Sequence, residues 1–162
     1  MVNLKTTTTR DSLVHEVGVS RRVERLSEEP DEAQVVFWLE FVLDRLDRQS
    51  SEVSVRIVDE DEIAALNREY RGLGNVTNVL SFPAGISVGE VEFLGDIVIC
   101  SKVVKLESDQ YGTGFADRYA HMLIHGLLHL LGYDHMEEAA QILMEQLEID
   151  LLLRLGMGNP YE

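Results

Sequence analysis

One segment constrains this chain more than any other. Residues 117–135 read DRYAHMLIHGLLHLLGYDH and hold four of the protein's five histidines. Leu123, Ile124, Leu127, Leu128, Leu130 and Leu131 make residues 117–131 apolar almost all round, the pattern of a helix buried inside a domain. His121, His125 and His129 follow at intervals of four and so lie along one face. A buried imidazole costs on the order of 1–3 kcal/mol unless it finds a polar partner. A metal ion is one partner that satisfies several imidazoles at once.

Geometry limits which histidines share an ion. His121 and His129 stand two turns apart, roughly 12 Å along the axis, too far for both to reach an ion beside His125. The pair is therefore 121/125 or 125/129, and Gly132 favours the second. It stands where a helix-ending glycine belongs and lets His135 swing back toward His125 and His129. The pattern H-x3-H-x5-H then supplies three neutral ligands and an open fourth position, the catalytic type of zinc site. Protease zinc helices carry H-E-x-x-H, with the glutamate as general base. Here that position is Gly126, so peptide hydrolysis is disfavoured. Three neutral imidazoles leave the ion's full positive charge in place, which suits an anionic substrate such as a phosphodiester, but the cluster alone does not separate phosphate from amide chemistry.

The rest of the chain bounds the setting. A length of 162 residues fits one domain. With 14 Lys+Arg against 29 Asp+Glu, the net charge of −15 argues against coating nucleic acid or a membrane by bulk positive charge. The single cysteine, Cys100, excludes an internal disulfide and fits a reducing compartment. No stretch has the length of a transmembrane helix, and the N-terminus lacks the apolar core of a signal peptide. These features predict a cytoplasmic protein with no membrane partner. Residues 1–30, with the Thr6–Thr9 run and Glu28-Glu29-Pro30, read as an N-terminal extension, within which Leu13–Val23 holds a short alternating strand. Residues 31–162 read as a single domain.

Within that domain the periodicity predicts helices over 31–48, 60–70, 102–109, 117–131 and 136–155. Strands are expected over 52–58, where Val53, Val55 and Ile57 alternate with polar residues, over 79–82, stopped by Pro83, and over 94–100. Residues 84–91 read as a turn or loop. This mixture predicts an α+β or α/β layer fold of about four strands. Trp38, Phe41, Ile142, Ile149 and Leu153 are expected in the core. Glu137, Glu138, Glu145 and Glu148 read as a solvated face. Asp134, three residues before Glu137, reads as the N-cap of the last helix. Asp96, in an apolar strand, reads as a hydrogen-bonded core carboxylate or as a group orienting a ligand histidine. His121 reads as a structural histidine or as a group supporting the site.

HGLLHLLGYDH (125–135) resembles the signature of the YbeY-type endoribonucleases, the bacterial rRNA maturation factors. LNREYRG (66–72) with TNVLSFP (77–83), and LGDIVIC (94–100), resemble two further blocks of that family in the same order. NPY (159–161) resembles a common family ending. The resemblance implies a small α+β domain with a mixed sheet and a zincin-like metal-binding helix. It implies His125, His129 and His135 as ligands of one zinc ion and Arg71 as a catalytic residue acting on phosphate. It further implies cleavage of single-stranded rRNA in maturation of the 3′ end of small-subunit rRNA, with the ribosomal small subunit and its proteins as partners, and no DNA. The family's Lys-Asp-x-Pro between the first two blocks is here Leu73-Gly74-Asn75-Val76, so this loop lacks a lysine and a proline. Asn78 and Ser81 are expected to line the cleft. Two rival readings are a non-catalytic ribosome-assembly factor with a structural metal and a metallohydrolase of other substrates.

Overall fold

The computed structural model describes residues 14–46 and 48–162. The Thr6–Thr9 run lies outside the described residues. Along the described chain run β1 (Glu16–Arg21), α1 (Glu32–Arg45), β2 (Ser51–Ile57), α2 (Glu60–Arg71), β3 (Val79–Val88), β4 (Val91–Ile99), α3 (Ser101–Tyr111), α4 (Phe115–Leu130) and α5 (Glu138–Arg154). The strands form one sheet in the order β1-β2-β4-β3. β1, β2 and β4 run parallel, and β3 is antiparallel to β4. This is a small α+β fold with a mixed sheet.

Local chemistry sets the helix starts. Asp31 opens α1 with a reciprocal capping box: its Oδ1 accepts from the Gln34 N–H at 2.8 Å, and the Gln34 side chain accepts from the Asp31 N–H. Asp59 caps α2 with a single bond, its Oδ1 accepting from the Glu62 N–H at 2.8 Å. Both faces of the sheet are covered. Val53, Val55 and Ile57 of β2, with Ile97 and Ile99 of β4, join Val35 and Leu39 of α1 and Leu123, Ile124 and Leu127 of α4 in the main core. Leu80 and Val98, whose side chains alternate to the other face, pack with Ile63 of α2 in a smaller core.

Several expectations need correction. Pro83 does not end β3, which continues through residues 84–88. β3 is an edge strand with one neighbour, so the missing proline N–H removes no ladder bond that a second neighbour requires. A register shift between Pro83 and Ile86 absorbs the irregularity. The fold also begins ahead of the boundary expected at residue 31, because β1 pairs along its whole length with β2. Glu29 is buried, and its carboxylate accepts hydrogen bonds from the Leu26 N–H at 2.9 Å, Ser101 Oγ at 2.9 Å, Tyr119 OH at 3.3 Å and the Arg21 guanidinium. That network ties the β1–α1 connection to α3 and α4. Trp38 is in the core as expected, but Phe41 and Ile149 are only half-buried, and Ile142 and Leu153 lie on the outer face of α5.

Candidate metal centre and cleft

α4 is buried along most of its length, and the way it ends builds the site. Gly132 adopts φ +98°, a conformation that side chains rarely tolerate. The Tyr133 N–H bonds the Leu128 carbonyl at 3.0 Å and the Gly132 N–H bonds the His129 carbonyl at 3.0 Å, the paired bonds of a Schellman termination. Asp134 does not cap α5, whose N-cap is Glu137 without a side-chain bond. Its Oδ1 instead accepts from the Met136 N–H at 3.2 Å, a turn around His135.

Chain reversal brings one nitrogen from each of His125, His129 and His135 within 4.8 Å of the others. His125 Nε2 and His129 Nε2 are 3.2 Å apart. A tetrahedral ion with nitrogen arms of about 2.0–2.1 Å has edges of about 3.3 Å, so this spacing fits ligands of one zinc ion. Burial, and the neighbouring imidazoles of His125 and His135, hold the His129 pKa below its ordinary value and favour the neutral, ligating form.

Glu148 corrects the solvated-face reading: it is 0% exposed. Its Oε2 lies 2.6 Å from His125 Nδ1 and its Oε1 lies 3.1 Å from His121 Nε2. The Tyr161 hydroxyl donates to the same Oε1. Burial alone would push this carboxyl up; the bonds from His121, His125 and Tyr161 prevail and hold it down at about 2. The ionised carboxylate accepts the Nδ1 proton of His125, which leaves Nε2 bare and facing His129. This is the arrangement by which a carboxylate fixes the tautomer of a ligand histidine. His121 therefore supports the site through Glu148 and is not part of the converging trio. A signal for Glu148 existed in the sequence: it sits in register with Met144, Leu151 and Leu152, the buried stripe of α5. For Tyr161 the signal was of another kind, the resemblance of NPY (159–161) to a family ending.

Gly126 faces the sheet. A Cβ there would stand 3.1 Å from Ile97 Cγ2 and 3.1 Å from Ser81 Oγ. Ser81 Oγ donates to the Gly126 carbonyl at 2.8 Å. The position has no room for a glutamate, which is the physical reason that the helix carries no built-in general base.

The triad opens into a cleft of about 810 Å³ lined also by Tyr70, Arg71, Asn78, Ser81, Phe82, Asp134 and Met136. Arg71, the last residue of α2, is exposed and, among the described residues, makes no ion pair. Tyr70 packs edge-on against Phe82, ring centroids 5.1 Å apart. Asn78 and Ser81 line the cleft as expected, but their polar atoms are engaged: Asn78 donates to Glu107 at 3.1 Å and accepts from the Val79 N–H at 2.7 Å. Asp96 neither is a core carboxylate nor reaches a histidine. It is exposed and lines a separate groove with Glu16, Glu40 and Glu52.

Fold and site together define a small α+β protein with an open three-histidine site of the kind that holds a catalytic metal. The family model described as Endoribonuclease YbeY matches residues 19–156. The Endoribonuclease YbeY of Alteromonas mediterranea is 46% identical over 134 residues, covering 82% of this chain and 85% of the relative. That of Methylococcus capsulatus is 48% identical over 133 residues, covering 82% and 87%. The solution structure of TM1509 from Thermotoga maritima shares the fold, with a TM-score of 0.56 at 22% identity over 88% of this chain and 92% of that one. The chain belongs to the YbeY endoribonuclease family.

Proposed function

We propose that this protein is a zinc-dependent endoribonuclease that cleaves single-stranded rRNA during maturation of the small-subunit 3′ end. Its membership of the family makes it an endoribonuclease of rRNA processing. One observation supports the finer reading: the histidine triad and an exposed arginine line the same open cleft.

His125, His129 and His135 would hold one zinc ion. Bound there, the ion would supply Lewis-acid polarisation of phosphate oxygen or a bound water of lowered pKa. The protein's own groups perform the rest. Arg71 binds the phosphate, where its planar guanidinium matches two oxygens at once, and it neutralises the charge that develops in the transition state. Glu148 keeps His125 in the ligating tautomer.

The charge of −15 governs how substrate arrives. Free RNA is repelled by most of this surface, so affinity for it is expected to be weak and local. Productive substrate is read as rRNA presented on the small subunit in the cytoplasm, where basic ribosomal proteins meet the acidic face. Co-sedimentation with small subunits at physiological salt tests this, and absence of association would count against it.

The deciding experiment is cleavage of an rRNA 3′-end substrate by zinc-loaded wild type, Arg71→Ala and His129→Ala, purified identically. Loss in both folded variants supports the reading. Equal cleavage in all three would assign the activity to a contaminant. No cleavage in any, with zinc bound, would favour a non-catalytic assembly factor.

A further inference from the structure

The residues after α5 return to the back of the histidine cluster. Gly156, with φ +84°, closes the helix, and the Met157 N–H bonds the Leu152 carbonyl at 2.9 Å. Asn159 Oδ1 then accepts from the Tyr161 N–H at 2.8 Å, a turn that spans Pro160. The tail is thus shaped by its own hydrogen bonds. It delivers the Tyr161 ring against His121, with centroids 5.4 Å apart at 82°, and places the phenol oxygen on Glu148 Oε1.

Glu148 reaches the triad through its other oxygen, which accepts from His125 Nδ1 at 2.6 Å. A carboxylate on a long side chain rotates about its terminal torsion, a broad and soft one. Donors on both oxygens are what hold it. His121 Nε2, at 3.1 Å from Oε1, is one such donor, and the Tyr161 hydroxyl is the second on that same oxygen. Both are donors to a carboxylate that is itself 0% exposed, so bulk water does not replace a lost bond at no cost.

We propose that Tyr161 is a positioning residue of the metal centre. The C-terminal tail acts as a latch, its hydroxyl holding Glu148 in the rotation that presents Oε2 to His125 and thereby setting how tightly the triad binds its ion. The proposal rests on reading the triad as the zinc site. Tyr161 touches neither the ion nor RNA in this reading, and its effect passes entirely through Glu148 and His125.

The test is zinc affinity, measured by competition with a chromophoric chelator on the full-length chain, with thermal unfolding of the metal-free protein alongside. Tyr161→Phe keeps the ring against His121 and removes only the hydroxyl. It is expected to weaken zinc binding about three- to tenfold, and Glu148→Gln about 10- to 100-fold, the range for groups that orient metal ligands. The double variant should bind no more weakly than Glu148→Gln alone, because the hydroxyl acts through that carboxylate. Unchanged affinity in Tyr161→Phe, in a wild type that binds zinc, would overturn the latch and leave the metal site standing. So would additive losses in the double variant. A wild type that binds no zinc would overturn the metal reading and the latch together.

Discussion

The two walls of the cleft are built on opposite principles. On the α4 wall, imidazoles are held by a chain of contacts: His129 against His125, His125 on Glu148, and Glu148 held also by His121 and Tyr161. On the α2 wall, Arg71 stands exposed at a helix end, followed by a loop whose Leu73 and Val76 are 50% and 46% exposed. The difference follows from burial. Polar groups taken out of water must be paired, so pairing also fixes their geometry. An exposed guanidinium stays hydrated and takes its final geometry from whatever anion arrives. The His125 and His129 nitrogens should therefore be preorganised, whereas phosphate binding should depend on substrate.

Breaking the paired wall should give the largest effects. His129→Ala removes one nitrogen of the proposed zinc site and is expected to lower zinc affinity more than about 100-fold, beyond the range for outer partners, as read by chelator competition. Glu148→Ala leaves the donors on His121, His125 and Tyr161 without an acceptor, and urea unfolding of the metal-free protein should show a loss of about 3 kcal/mol. The same carboxyl defines an acid limb. Its folded pKa is about 2 against an ordinary 4.5, so its contribution is fully present above about 4.5 and is lost as pH falls toward 2. Unfolding measured across that window should be flatter in Glu148→Gln; an unchanged slope would remove Glu148 from the account.

The exposed wall should behave conversely. Arg71→Ala is expected to lower kcat/KM on single-stranded RNA about 100-fold while stability stays within about 0.5 kcal/mol and zinc affinity is unchanged. A variant that unfolded or lost zinc would erase the contrast between the walls. Smallest of all is Gly126→Ala. The added methyl crowds Ile97 and Ser81 at 3.1 Å, while alanine favours the helix by up to about 1 kcal/mol. Chemical denaturation should show a net loss of about 1 kcal/mol, with zinc affinity unaltered.

How much was legible in the chain follows the range of the interactions. His125 and His129 one turn apart, the stop at Gly132 and the return of His135 are local regularities, and each is found in place. So is the alternation of Val53, Val55 and Ile57, because strand periodicity acts over a few residues. The resemblance in residues 66–83 pointed to Arg71, and α2 and β3 bring it to the triad's cleft. What local pattern did not carry was the fate of groups whose partners lie far along the chain. Glu148 becomes a buried acceptor only once α5 packs on α4, 23 residues from His125. Pro83 is tolerated only because β3 lies at the sheet's edge, and Tyr161 matters only because the tail folds back. Burial and edge position are properties of the assembled layers, so the partners of these side chains were decided by packing and not by any rule of nearby sequence.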